Sequence, residues 1–130
     1  MDLSFGPRYE DFRSEVRQFI EENKSKSPQS STSSSMQTKD WQALLIENGY
    51  AARTIPREYG GYGGVPDIVE SRIIAEEFSK QQINTGLGGQ GISMLVPVLL
   101  EMGTEAQKKQ FIRPTIRGEM LWCQGYSEPG

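Results

Sequence analysis

The closing stretch Trp122-Cys-Gln-Gly-Tyr-Ser-Glu-Pro-Gly130 decides how the whole chain is read. An apolar run, Met120 to Cys123, leads into a small polar loop that stops at Pro129-Gly130. Such a run reads as a strand opening into a turn, and the backbone groups of a strand need partner strands. No second strand-like run occurs elsewhere in the sequence. The expectation is therefore an all-α domain over residues 1–118, followed over 119–130 by the first strand and loop of a β-domain that lies beyond this chain.

Working outward, composition narrows the chemistry. The 130 residues are about the size of one domain, and 35% are hydrophobic, which predicts a modest core. Net charge is -3, with 14 basic and 17 acidic residues mixed along the chain, so no nucleic-acid footprint is present. No apolar run approaches the roughly 18 residues of a membrane span. The start, Met1-Asp2-Leu3-Ser4, lacks the basic region and apolar block of a secretory signal. A single cysteine, Cys123, excludes an internal disulfide and fits a cytoplasmic location. Histidine is absent altogether, which removes histidine bases, histidine triads and most zinc sites. No metal ligand set is assigned.

Periodicity predicts five or six helices. Pro7 to Glu22 has apolar Tyr9, Phe12, Val16, Phe19 and Ile20 at spacings of three and four, with Pro7 at a first helical position. Ser25 to Gln37 is rich in serine and reads as a mobile loop. A second helix is expected over Thr38–Asn48, capped by Thr38 and stopped by Gly49. The glycines of Ala52–Gly64 do not form a phosphate loop, because neither Gly-Lys-Ser/Thr nor Gly-x-Gly-x-x-Gly is present. Pro66 to Lys80 reads as a third helix, with Ile68, Val69, Ile73, Ala75 and Phe78 inward and Glu70, Glu76 and Glu77 on a solvated face. Ile92 to Met102 is apolar nearly all round, predicting a helix buried on most sides that Pro97 bends or breaks. Thr104 and Gln107 form a capping box for a last helix with Phe111 and Ile112 inward. Pro114 either ends that helix or starts a short new turn.

Several of these segments, in order, resemble the acyl-CoA dehydrogenase family. They are Trp41-x-x-Leu44 leading to Gly49-Tyr50, then Ile55-Pro-Arg-Glu-Tyr-Gly-Gly61, then Gly103-Thr-Glu-Ala-Gln-Lys-Lys109 with Phe111 and Pro114, then Gly118-Glu119, and finally Ser127-Glu-Pro-Gly130. The resemblance implies the N-terminal helical domain of a flavoenzyme, together with the first strand of its middle β-domain. It implies FAD as cofactor and desaturation of an acyl-CoA thioester between Cα and Cβ. Electron-transferring flavoprotein is the implied electron acceptor, and a homo-oligomer, tetramer or dimer, the implied assembly. The family's base is a glutamate of its C-terminal domain, so no catalytic residue is assigned here and the fragment itself is expected to be inactive. Gln124, Tyr126 and Ser127 fall where family members contact the isoalloxazine ring, although Gln124 stands where an aromatic residue is common. Gln90 and Met94 fall on the segment that lines the acyl-tail pocket, where core packing is the competing role for Met94. Acyl-CoA oxidases and flavin monooxygenases share this helical domain, and a non-catalytic helical interaction module is the alternative from another class.

Overall fold

The fold is given by a computed structural model that describes residues 6–28, 35–87 and 91–120. Among these residues there are five α-helices and no strand: α1 Pro7–Asn23, α2 Ser35–Asn48, α3 Ile68–Lys80, α4 Val96–Met102 and α5 Glu105–Ile116. None of them is long and apolar enough to cross a membrane. The expected strand over 119–130 falls almost entirely outside the described residues.

The helix α2 is the centre of the fold because it contributes to both halves of the core. Trp41 and Leu45 join Val16, Phe19 and Ile20 of α1 and Ile73 and Phe78 of α3. One position further round, Ile46 joins Tyr59, Val96, Leu99, Ile112 and Ile116. Spacings of four and five residues along α2 thus place apolar side chains on two adjoining faces. Its C-terminus closes as the sequence predicts: Gly49 adopts φ 84°, and Tyr50 N–H donates to Leu45 O at 2.8 Å.

Several expectations are corrected. Thr38 is not an N-cap. The helix α2 begins at Ser35, since Ser35, Met36 and Gln37 contain neither glycine nor proline to stop it. Ser25 to Ser27 do not belong to the expected mobile loop, of which residues 29–34 lie outside the described residues. Lys24–Lys26 extend α1 as a 3-10 turn, and Ser27 is buried and accepts Asn84 N–H at 3.4 Å. The helix α3 starts at Ile68, after Asp67, whose carboxylate caps it by accepting Val69 and Glu70 N–H. Ile68 and Ala75 point outward, leaving Ile73 and Phe78 as the buried apolar anchors of α3.

The largest correction concerns Glu77. It is 1% exposed and lies inside the α1–α3 interface rather than on a solvated face. Arg13 donates to it at 2.6 Å and Arg17 Nε at 2.8 Å, so its charge is matched from α1. Glu70 is half-buried and pairs with Arg53, whose guanidinium also lies over the Phe12 ring. Pro114, finally, neither ends α5 nor starts a new turn. It sits inside the helix, and its carbonyl accepts the amides of Glu119 and Met120 beyond the helix end. The capping box of Thr104 and Gln107 is present as predicted.

Candidate functional site

The segment carrying Met94 departs from regular winding. Gly91–Leu95 forms one π-helical turn before α4 takes over at Val96. Pro97 gives the reason: its ring presses on the turn before it and offers that turn no N–H, so the winding widens. The expected bend at Pro97 is therefore a change of helix type. The expectation that this segment is buried on most sides is corrected. Only Gly91, Val96 and Leu99 are buried, while Met94 and Val98 are each 53% exposed and Met102 is 79% exposed. Met94, Val98 and Met102 recur every four residues, so they form one apolar stripe facing outward. Such a stripe fits an acyl chain or the flat face of an aromatic ring. It holds no charge of its own.

A buried polar junction lies between residues 84–87 and the end of α5. Gln42 of α2 is 2% exposed. Its Nε2–H donates to Ile116 O at 2.8 Å, and its Oε1 accepts Leu87 N–H at 2.8 Å. The neighbouring Trp41 donates its indole N–H to Asn84 O at 2.8 Å. Asn84 Oδ1 in turn accepts Gly86 N–H at 2.7 Å. Residues 84–87 are thereby fixed to α2 by two consecutive side chains.

The titrating groups with displaced pKa values are explained by the fold. Burial raises the Glu77 carboxyl, but the hydrogen bonds from Arg17 and Arg13 outweigh it and hold the group below its ordinary value. Asp67 is likewise held low, first by the Glu70 N–H, against the opposing cost of desolvation, and further by the Tyr9 hydroxyl. The Tyr59 phenol is pushed up to about 12 by donating to Glu105 and by burial. Burial, with Glu15 nearby, pushes Tyr50 to about 12. Each displaced carboxylate serves a cap or an ion pair, so none is poised as a general base. Among the described residues no group of three His, Cys, Asp or Glu is placed to hold a metal ion.

Of the five site residues taken from the sequence, only Met94 lies among the described residues, and it faces outward on the apolar stripe. Gln90, Gln124, Tyr126 and Ser127 lie outside them. The described part of the segment that carries Met94 is apolar and open on one side. Sequence reasoning overlooked Gln42. The signal was available: Gln42 stands three and four residues before the buried Leu45 and Ile46, on the same face.

Comparison with known proteins follows the same lines. Residues 7–119 match the family model for the acyl-CoA dehydrogenase N-terminal domain. The chain is 29% identical over 129 residues to acyl-CoA dehydrogenase IpdE1 of Mycolicibacterium smegmatis, covering 92% of this chain and 32% of that protein. It is 36% identical over 83 residues to the short-chain specific acyl-CoA dehydrogenase of Clostridium acetobutylicum, covering 62% of this chain and 21% of the other. Among solved structures, a chain of the ChsE4-ChsE5 complex from Mycobacterium tuberculosis superposes with a TM-score of 0.63 at 26% identity. That match covers 100% of this chain and 33% of the solved one. The chain thus spans about a third of the length of these two mycobacterial relatives, 32% and 33%.

Proposed function

Because this chain belongs to the acyl-CoA dehydrogenase family, as an N-terminal domain of that family, we propose that it is the helical part of an FAD-dependent enzyme that desaturates an acyl-CoA thioester between Cα and Cβ. The observation that carries this reading is the family match over residues 7–119, which takes in every α-helix of the described fold. When bound, FAD supplies the acceptor for hydride leaving the β-carbon. The tasks left to this chain are binding and orientation. Gln124, Tyr126 and Ser127 would contact the flavin ring, with the Ser127 hydroxyl donating to or accepting from its edge. Gln90 and the stripe begun by Met94 would face the acyl tail, where an apolar wall excludes water. Abstraction of the α-proton needs a positioned base with a pKa near the working pH. Among the described residues the two carboxylates with a displaced pKa, Asp67 and Glu77, are each committed to a structural partner. The family resemblance assigns the base to a segment outside this chain, and on this reading the 130 residues alone are inactive.

The same reading places the protein in the cytoplasm, with electron-transferring flavoprotein as its electron acceptor. It assembles with further copies of itself or with a related subunit. The two-subunit complex among its solved neighbours supports that assembly. The test is the visible spectrum of the full-length protein, followed by anaerobic titration with short-, medium- and long-chain acyl-CoAs. Bound flavin that bleaches with one range of chain lengths is the expected result. A full-length protein that binds no flavin, even with FAD added, overturns the reading.

A further inference from the structure

The buried amide of Gln42 touches two pieces of backbone that are remote in sequence, residues 86–87 on one side and the end of α5 on the other. Its partners differ in kind. Leu87 presents an N–H and Ile116 presents a carbonyl, each at 2.8 Å. A side chain that accepts at one end and donates at the other satisfies both, which is the property of a primary amide. Asparagine is one methylene shorter, glutamate would set an oxygen against the Ile116 carbonyl, and a hydrocarbon would leave both backbone groups unmet in a site closed to water. The surrounding backbone is shaped to allow this closeness. Gly86, at φ 96°, lies against the amide: a Cβ there would meet Gln42 Oε1 at 2.5 Å. Gly118, at φ 79°, lies against Leu87, whose side chain would collide with a Cβ at that position. Two left-handed glycines therefore bring the segments together around one side chain.

The two segments lead in different functional directions. In sequence, residues 84–87 come shortly before Gln90 and Met94, and residues 116–118 shortly before Gln124, Tyr126 and Ser127. We propose that Gln42 is a positioning residue of the dehydrogenation reaction, tying residues 84–87, which precede Gln90 and Met94 in the chain, to the end of α5, which precedes Gln124, Tyr126 and Ser127. This role rests on the functional reading above. It does not require Gln42 to touch substrate or flavin. Hydride transfer depends on the separation and alignment of the donor carbon and the ring, and a misplacement of about 1 Å costs on the order of 100-fold in rate. A buried amide that ties both supporting segments to α2 limits such misplacement.

The test compares Gln42→Glu and Gln42→Met in the full-length flavoprotein with Ile20→Val as a reference. Ile20 is buried in the α1–α3 half of the core and makes none of the junction's hydrogen bonds, so its truncation lowers stability while leaving the partners of Gln42 in place. Assays are run well below the melting temperature of each protein. Gln42→Glu keeps a partner for Leu87 and is the variant of choice if Gln42→Met does not fold. The expected result is a kcat about 10- to 100-fold lower in the Gln42 variants, a smaller change in KM, and a displaced visible circular-dichroism band of the bound flavin. Ile20→Val is expected to leave kcat and the band unchanged. A second readout needs no turnover. In Gln42→Glu, amide exchange speeds up at Glu119 and Met120, although their acceptor, Pro114 O, is not altered. Gln42 variants with wild-type kcat, flavin band and exchange overturn the positioning role alone. So does an Ile20→Val variant that loses kcat equally, because the effect would then be general softening. A wild-type protein that takes up no flavin overturns this role together with the functional reading.

Discussion

The outer faces of the two core halves are finished with opposite materials. Where α1 meets α3, charge is carried inward and matched: Glu77, 1% exposed, receives Arg13 and Arg17, and Asp67 receives Arg8 and Tyr9. Where α4 lies on α5, the outward side is a bare apolar stripe of Met94, Val98 and Met102. A single exposed apolar residue needs no explanation, but three at one helical spacing form a patch of the kind that marks a binding face. The difference teaches which half is complete by itself. The α1–α3 side satisfies its buried charges within the chain. The α4 side makes its core contacts through Val96 and Leu99, with Leu95 and Leu100 packed against that cluster, and leaves Met94, Val98 and Met102 exposed.

The comparison assumes that both halves are equally well packed underneath, and the largest expected effect tests this. Ile112 is fully buried on α5, so Ile112→Ala should cost about 3 kcal/mol through lost transfer energy and the cavity left behind. Urea unfolding followed by tryptophan fluorescence would read it. A loss below about 1 kcal/mol would mean that the α4–α5 core is loose, and that its exposed stripe reflects poor packing rather than a binding face.

Glu77→Ala comes next. Removing one partner of a buried pair costs about 3–5 kcal/mol when the other stays buried. The Arg13 and Arg17 side chains are 24% and 57% exposed and can rehydrate, so about 2 kcal/mol is the better expectation. The pH dependence follows from the depressed pKa. The folded carboxyl holds its proton less tightly than the unfolded one, whose ordinary value is 4.5, so the contribution is complete above that value and is lost as pH falls through the lower folded pKa. Urea midpoints measured from pH 7 down to about pH 3 should therefore fall more steeply for the wild type than for Glu77→Gln. Parallel curves would show that the α1–α3 face does not depend on this charge.

Much of this was legible in the sequence, and the exceptions share a cause. The first helix, the left-handed stop at Gly49 and the capping box at Thr104 are local signals, and local signals fixed them. The family resemblance rested on ordered motifs, and the match over residues 7–119 agrees with it. Glu77 and Gln42 were not legible as buried because polarity argues for the surface, whereas the hydrogen-bond partners of their side chains are 45 to 74 residues away in sequence. The exposure of α4 was not legible for the complementary reason: an all-apolar helix reads as buried, and only the tertiary arrangement shows which side is left open. Of the candidate site, Met94 alone can be placed, and it stands on that open side.

A smaller effect is expected at the capping box. Thr104→Ala removes the Oγ1 that accepts Gln107 N–H at 3.1 Å, and a loss of about 1 kcal/mol is expected in urea unfolding. Because the cap sits at the solvent-exposed start of α5, the loss should not depend on whether the apolar stripe is covered. A different value in the full-length protein than in the 130-residue chain would break that independence.

The smallest effect on stability is the most direct test of the comparison. Val98 and Met102 are 53% and 79% exposed, so changing both to serine should alter the unfolding free energy of the 130-residue chain by less than about 0.5 kcal/mol. The same double change should visibly lower the binding of a hydrophobic dye, because it removes two of the three side chains of the stripe. The counterpart on the α3 side is Ile68 alone, 87% exposed at the first position of that helix and not part of a stripe, whereas Phe19, Ile73 and Phe78 there are already inside. If the stripe is a binding face, the serine pair should also raise KM for acyl-CoA or weaken flavin retention in the full-length protein while leaving the fold intact. A serine pair that unfolds the 130-residue chain would place these side chains in its core. Unchanged dye binding would show that the exposed apolar surface lies elsewhere, and either result would remove the contrast between the two faces.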